Sequence, residues 1–134
     1  MATIRKEISI HTSVEIVWAA VRDFNAVHRL APGFIADCKP DGDARVITFG
    51  NGMVARELLV GIDDEQRRLA YAITEGRTTH YNGAMQVFAA GEHQCKAVWT
   101  IDLLPNDLAG PVGAMVEMGA AVMKKTLEQN TQPG

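Results

Sequence analysis

Several features that particular classes of protein require are scarce in this sequence of 134 residues. It has two cysteines, Cys38 and Cys95, without metal-binding or CxxC spacing, so we expect reduced thiols in a cytoplasmic protein. The 13 Lys and Arg and 16 Asp and Glu give a net charge of −3, and no basic block stands out. Because binding to phosphate backbones requires concentrated positive charge, nucleic acid is not an expected partner.

Long apolar stretches and recognisable catalytic motifs are missing as well. No run of about 18 apolar residues occurs, so we expect no membrane span. The N-terminus alternates charged and apolar residues and lacks the apolar core of a signal peptide. No histidine pair has metal-ligand spacing with a carboxylate, and no phosphate loop or Ser-His-Asp set can be named. We therefore expect no metal and no cofactor, and catalytic residues stay unknown.

The apolar residues, 47% of the chain, follow two periods. Alternation over residues 4–10 predicts a half-buried strand. The segment TSVEIVWAAV then changes to a helical period, with Thr12 and Glu15 as a predicted capping box, and a second short helix is expected at residues 25–30. Six further strands follow, separated by turn sequences such as PDGD, GNG and DDEQ. Because parallel neighbours need long crossovers, these strands are predicted to be antiparallel.

A long helix, from about Pro111 to Gln129, is the last predicted element. Only this helix is long enough to cover one face of the sheet. Its predicted sheet-facing side comprises Val112, Met115, Val116, Gly119, Val122, Met123 and Leu127. Gly119, in the middle of that side, costs about 1 kcal/mol relative to alanine. It either accepts a large neighbour, such as a tyrosine of the sheet, or leaves room for a ligand between adaptable methionine walls.

The middle of the chain resembles a known family. The matching stretches are RVITFGNGMVARELLVGIDDEQRRLAYAI, HYNGAMQVF and VWT, with the matching residues Arg45, Gly52, Glu57, Asp63, Asp64, Tyr71, Tyr81 and Trp99. Together with TSVEIVWAAVRDF they resemble the START-like SRPBCC superfamily, in its polyketide cyclase/dehydrase and lipid-transport branch. The resemblance implies an α+β helix-grip fold, in which a curved seven-stranded antiparallel sheet wraps around a long C-terminal helix. We expect a single domain at residues 1–130 and a disordered tail at 131–134.

The family resemblance also implies a cavity between sheet and helix that holds a lipid, a polyketide or another apolar molecule. A more distant similarity to plant abscisic-acid receptors assigns to its wall Glu57, Tyr71, Tyr81, Gly83, Met115 and Gly119. Leu59 alternates with Glu57 and is expected on the same face. Ala36 stands where the receptors have a lysine that pairs with the hormone's carboxylate, so we do not expect that hormone to bind. The loop GNG is shorter than the receptor gate.

Arg45 and Glu57 face each other across a hairpin if its loop comprises residues 50–52. A two-residue loop would pair Arg45 with Leu58 instead; we favour the longer loop because Gly52 suits a left-handed position. The pair is either an ordinary cross-strand ion pair or a polar anchor in the cavity, where Glu57 binds a ligand hydroxyl or carbonyl through water. Arg45 is expected to lower the pKa of Glu57, which argues against Glu57 as a general base.

An apolar outer stripe follows from this orientation. If Glu57 and Leu59 point inward, the outward residues are Arg56, Leu58, Val60 and Ile62. Trp99, Ile101 and Leu103 raise the same question in the last strand. Because exposed apolar stripes often mark interfaces, we predict a homodimer through the outer sheet face. A β-bulge would reverse the assignment of inside and outside.

The function that the sequence favours is binding of a small hydrophobic ligand. The alternative is an enzyme of the polyketide cyclase or dehydratase kind in the same cavity, with Glu57 and a tyrosine in acid–base roles. A regulatory protein whose outer sheet face binds another protein is the third possibility.

Overall fold

The computed structural model describes residues 1–129. The strands are β1 Ala2–Ile10, β2 Ile35–Asp41, β3 Ala44–Phe49, β4 Val54–Asp63, β5 Arg68–Ala72, β6 His80–Ala89 and β7 Cys95–Leu104. The helices are α1 Val14–Arg22, α2 Val27–Leu30 and α3 Ala109–Gln129, and two 3₁₀ turns comprise Phe24–Ala26 and Asn106–Leu108. The strands form one antiparallel sheet in the order β1-β7-β6-β5-β4-β3-β2. The predicted fold is confirmed; the tail predicted at 131–134 lies outside the described residues.

The start of α1 differs from the prediction by one residue. Ser13 is the N-cap, and its hydroxyl accepts a hydrogen bond from the backbone N–H of Ile16 at 3.3 Å. Because Ser13 and not Thr12 occupies the N-cap position, the predicted capping box of Thr12 and Glu15 is wrong. Thr12 is buried instead. The apolar face of the helix is buried as predicted, through Val14, Val17, Trp18 and Val21.

The β3–β4 hairpin has the longer of the two loops considered. Residues 50–52 form the loop, and Gly52 adopts a φ of 90°, a left-handed conformation that glycine accepts without strain. Arg45 therefore lies directly opposite Glu57, as predicted. This register places both side chains on the inner face of the sheet.

A register shift in β4 corrects the predicted outer stripe. The pairing of β4 with β5 shifts between Leu59 and Gly61, which marks a β-bulge at Val60. Beyond the bulge, Ile62 packs against the core, so its predicted outward position is wrong. Val60 is 58% exposed, whereas Leu58 is half-buried. The homodimer stays a prediction, and most of the apolar stripe that motivated it is absent.

The alternating apolar residues of β7 face inward. Ile101 and Leu103 are 1% and 0% exposed and pack with Val116 of α3, while Trp99 is partly buried against the same cluster. These residues therefore do not belong to an apolar stripe on the outer face of the sheet: they form the inner face of β7, and α3 covers them.

Two loops meet at one end of the molecule. The backbone N–H of Gly50, in the β3–β4 loop, donates to the carbonyl oxygen of Phe34 at 2.9 Å. A Cβ added at Gly50 would overlap the carbonyl oxygen of Gly33. Glycine is required here because two backbones approach too closely for any side chain.

We predict that Gly50→Ala destabilises the fold by about 2 kcal/mol, since the obstructing atom is backbone and has no rotamer to change. Gly61→Ala is the matched control: no atom lies within 4 Å of its added Cβ. Urea unfolding of both variants measures the difference, and the control is expected within about 0.5 kcal/mol of the parent. Equal midpoints for the two variants would contradict the close approach of the two loops.

Candidate functional site

A cavity of about 570 Å³ lies between the inner face of the sheet and α3. Its volume falls in the range of roughly 300–1,000 Å³ that is typical of small-molecule sites. Most of the wall is apolar: the sheet contributes Ile47, Leu69, Met85 and Trp99, and α3 contributes Val112, Met115, Val116, Gly119 and Met123. The arrangement suits an apolar molecule about as large as this space.

The cavity opens between three segments of chain. Its exposed lining residues come from the end of the β3–β4 loop, the β5–β6 loop and the start of α3, and they include Met53, Glu75, Arg77 and Pro111. The remaining walls are buried or half-buried. A ligand would therefore enter at this end and reach the buried side chains behind it.

A buried ion pair forms the polar part of the wall. Arg45 Nε donates to Glu57 Oε1 at 2.8 Å, and Arg45 Nη2 lies 2.7 Å from the same oxygen. Both side chains are 7% exposed. Arg45 Nη1 donates to the carbonyl oxygen of Phe24 at 2.7 Å, and the guanidinium lies 4.0 Å from the centre of the Phe24 ring. Arg45 is thus held by contacts on several sides.

Glu57 keeps one carboxylate oxygen free for the cavity. Both contacts of Arg45 fall on Oε1, and no donor within residues 1–129 reaches Oε2. Since His28 Nδ1 is the only fully buried side-chain atom without a partner among those residues, Oε2 must be accessible from the cavity that Glu57 lines. Burial raises the pKa of Glu57, and Arg45 opposes this without cancelling it. The expectation that Arg45 lowers the pKa of Glu57 is confirmed for the contribution of Arg45, and burial is the larger, opposite effect.

Two tyrosines lie beside this pair. Tyr71 is buried, and its hydroxyl oxygen accepts a hydrogen bond from Trp99 Nε1 at 3.1 Å. The ring of Tyr81, which is half-buried, lies 6.2 Å from that of Tyr71. Burial raises the pKa of both phenols, and the nearby charge of Glu57 adds to the shift. At neutral pH both are therefore uncharged; the Tyr71 hydroxyl donates to the Tyr81 hydroxyl, which keeps its own proton for another acceptor.

Six of the nine residues assigned to the cavity from the sequence line it: Arg45, Glu57, Tyr71, Tyr81, Met115 and Gly119. The other three assignments are corrected. Gly83 lies beneath the ring of Tyr71, where an added Cβ would overlap the ring, and Leu59 packs in the core outside the wall. Ala36 is exposed at a register shift of β2.

Gly119 has an aromatic neighbour, but not a tyrosine of the sheet. A Cβ at Gly119 would lie 2.9 Å from the nearest ring carbon of Phe34, in the segment before β2. Phe34 packs edge-on against Phe49 with ring centres 5.6 Å apart, and all three residues line the cavity. Sequence reasoning missed both phenylalanines, since residues at loops and strand ends have no periodicity that assigns them a side.

The chain matches the family model for polyketide cyclase / dehydrase and lipid transport over residues 1–131. The protein belongs to this family. A search of curated proteins finds no match to this family member.

Solved structures share the fold of this polyketide cyclase family member. A START superfamily protein from Mycobacterium smegmatis is 16% identical with a TM-score of 0.78, covering 96% of this chain and 99% of its own. Norcoclaurine synthase from Thalictrum flavum is 19% identical with a TM-score of 0.73, covering 99% and 94%. The di-domain ARO/CYC protein BexL of the BE-7585A biosynthetic pathway is 15% identical with a TM-score of 0.84, covering 99% and 48%. At these identities the likeness establishes the fold alone.

Two histidines, His28 and His80, lie outside the cavity wall. His80 is exposed, and His28 is half-buried and does not line the cavity. Within residues 1–129 no group of three or more His, Cys, Asp and Glu side chains could hold a metal ion. No helix in the same part of the chain has the length and hydrophobicity to cross a membrane.

We predict that Arg45→Met lowers the free energy of unfolding by about 3–5 kcal/mol at neutral pH, because it leaves the carboxylate of Glu57 buried and unpaired. The loss should shrink on acidification. Burial raises the pKa of the Glu57 carboxyl and Arg45 lowers it, so without Arg45 the folded pKa lies further above the unfolded one than in the parent. The folded variant therefore takes up a proton as pH falls from its folded pKa toward the unfolded pKa, and over that window it gains more stability than the parent does. Denaturant unfolding at several pH values measures both effects.

The matched control is Arg56→Met, eleven positions along the chain and in the neighbouring strand. Arg56 pairs with Asp41 at 2.9 Å in solvent, so its loss should change stability little at any pH. Similar losses in both variants would mean that the buried pair contributes no more than a surface pair.

Proposed function

We propose that this protein binds a small, largely apolar molecule in the cavity between the sheet and α3. The observation that carries the proposal is the cavity itself: about 570 Å³, enclosed mainly by aliphatic, aromatic and methionine side chains. If this space is empty, the side chains that line it lack the van der Waals contacts that a close-packed protein core provides. A ligand restores those contacts, and Glu57 and Tyr81 offer it a few polar ones.

The similarities are consistent with this proposal. The family description combines polyketide cyclase and dehydrase activity with lipid transport, and both involve a mainly apolar molecule. We further expect the protein in the cytoplasm, where its two buried free thiols, Cys38 and Cys95, stay reduced.

A specific observation favours an enzyme of the cyclase or dehydratase kind as the second candidate. Burial raises the pKa of the Glu57 carboxyl, and Tyr81 beside it is uncharged. Carboxyl groups that act as general acids or bases near neutral pH have pKa values raised in this way. The 2.8 Å contact with Arg45 opposes this role, since it stabilises the ionised form of Glu57. Binding is therefore the first candidate and catalysis the second.

Native mass spectrometry of the purified protein, with extraction and identification of any retained compound, tests the binding proposal. We expect an apolar compound in the parent and none in Gly119→Phe, because the new ring competes for the space between α3 and Phe34. Gly113→Phe is the matched control: it lies on the same helix, outside the cavity wall, with no atom within 4 Å of its added Cβ. Retention that is equal in both variants would place the compound elsewhere, and an empty parent would contradict the proposal.

The retained compound also separates binding from catalysis. Incubated with fresh protein, a bound ligand is expected to be recovered unchanged, whereas a substrate is converted, for example to a product lighter by one water. If conversion occurs and stops in Tyr81→Phe, which keeps the ring and removes only the hydroxyl, the enzyme replaces the binding protein as the better account.

A further inference from the structure

The polar wall of the cavity differs from an anion-binding site because its buried cation is already satisfied. Arg45 directs Nε and Nη2 to Glu57 and Nη1 to the carbonyl of Phe24. The faces of its guanidinium are occupied too, with the ring centres of Phe24 and Tyr71 at 4.0 Å and 5.7 Å. A ligand anion would therefore have to displace Glu57 or a backbone carbonyl to reach this charge.

The other two cations of the wall, Arg56 and Arg77, have solvent-exposed side chains. Arg56 Nε donates to Asp41 at 2.9 Å, and its side chain is 40% exposed. Arg77 is exposed in the β5–β6 loop. A carboxylate carried to the buried end would thus approach the ionised Glu57 without a compensating cation, at a desolvated site where an unpaired charge is costly.

The polar groups at the buried end that can still bind a ligand are the second carboxylate oxygen of Glu57, which accepts, and the hydroxyl proton of Tyr81, which donates. Glu57 Oε2 opens onto the cavity without a donor from residues 1–129. Tyr81 lines the same wall, and its uncharged hydroxyl accepts a hydrogen bond from the Tyr71 hydroxyl and keeps its own proton to donate. A group that donates to Glu57 and accepts from Tyr81 satisfies both, and a neutral hydroxyl does this with one atom.

We propose that the cavity selects an apolar molecule bearing a neutral hydroxyl, which donates to Glu57 Oε2 and accepts from Tyr81, and that it discriminates against the corresponding carboxylate. This inference rests on the proposed binding function and names the chemical class of its ligand. Hydroxylated aromatic rings and long-chain alcohols belong to that class; fatty acids and aryl carboxylates do not.

Three compounds with one ring system test the inference: 2-methylnaphthalene, 2-naphthol and 2-naphthoate. The affinity of each compound is measured by its displacement of the neutral fluorophore N-phenyl-1-naphthylamine from the parent protein at neutral pH. We expect 2-naphthol to bind about tenfold more tightly than 2-methylnaphthalene, because it gains a hydrogen bond to a charged acceptor. We expect 2-naphthoate to bind at least about tenfold more weakly than 2-methylnaphthalene, because its charge meets Glu57.

Two variants separate the polar contact from the apolar wall. Tyr81→Phe should reduce the advantage of 2-naphthol over 2-methylnaphthalene, because the ring stays and only the hydroxyl is lost. Met115→Ala, the matched control in the apolar wall, should weaken the two compounds alike and leave their ratio unchanged. If Tyr81→Phe leaves the ratio at its parental value, Tyr81 is not the partner of the hydroxyl and the inference fails in that part.

The possible results also distinguish the inference from the function on which it rests. If neither the fluorophore nor 2-methylnaphthalene binds, the proposed function fails and the inference fails with it. If both bind and the three naphthalene compounds have equal affinity, the cavity binds apolar molecules without selecting a head group, and only the inference is overturned. Tightest binding of 2-naphthoate would overturn it as well.

Discussion

The buried pair of Arg45 and Glu57 is the interaction on which the candidate site depends. Removing two charges from water costs several kcal/mol per ion, and the mutual attraction offsets this only when geometry and additional hydrogen bonds are good. Here the two side chains lie directly opposite on β3 and β4, and the carbonyl of Phe24 satisfies the remaining side of the guanidinium. A slip of one residue in one strand of the hairpin would turn one of the two charges toward solvent and leave the other buried without its partner.

The second constraint is the distance between the sheet and α3. Close packing would normally fill the space between a sheet and the helix that covers it. In this protein α3 packs closely at Val116 against the inner residues Ile101 and Leu103 of β7, whereas at Gly119 its nearest neighbour is the ring of Phe34. Phe34 thus occupies the space next to Gly119, and both residues line the cavity.

Much of the fold could be predicted because its determinants are local and periodic. Alternation defined the strands, and the glycines of the short hairpin loop fixed the pairing of Arg45 with Glu57. The predicted positions of Ile62 and Ala36 were wrong because of irregularities at single residues. The bulge at Val60 reversed the side of the sheet on which Ile62 lies, and a register shift in β2 exposed Ala36. Neither has a periodic pattern that a single sequence displays.

The candidate site was predicted less completely than the fold for a related reason. Glu57 and Gly119, which the family resemblance assigned to the wall, line the cavity, whereas Leu59, which was assigned by alternation with Glu57, does not. Phe34 was missed because it lies outside regular structure. The lowering effect of Arg45 on the pKa of Glu57 could be predicted, but the larger effect of burial could not, because the sequence does not show how deeply Glu57 is buried.

The most direct test of ligand binding in the cavity is an NMR titration of the protein with ¹³C-labelled methionine methyl groups. Met85, Met115 and Met123 line the cavity, whereas Met118 of the same helix is 62% exposed and does not. With N-phenyl-1-naphthylamine as the ligand, we predict saturable chemical-shift changes at the methyl groups of Met85, Met115 and Met123 and none at Met118. Shifts confined to Met118, or no saturable shift at any of the four, would contradict a ligand-binding cavity between the sheet and α3.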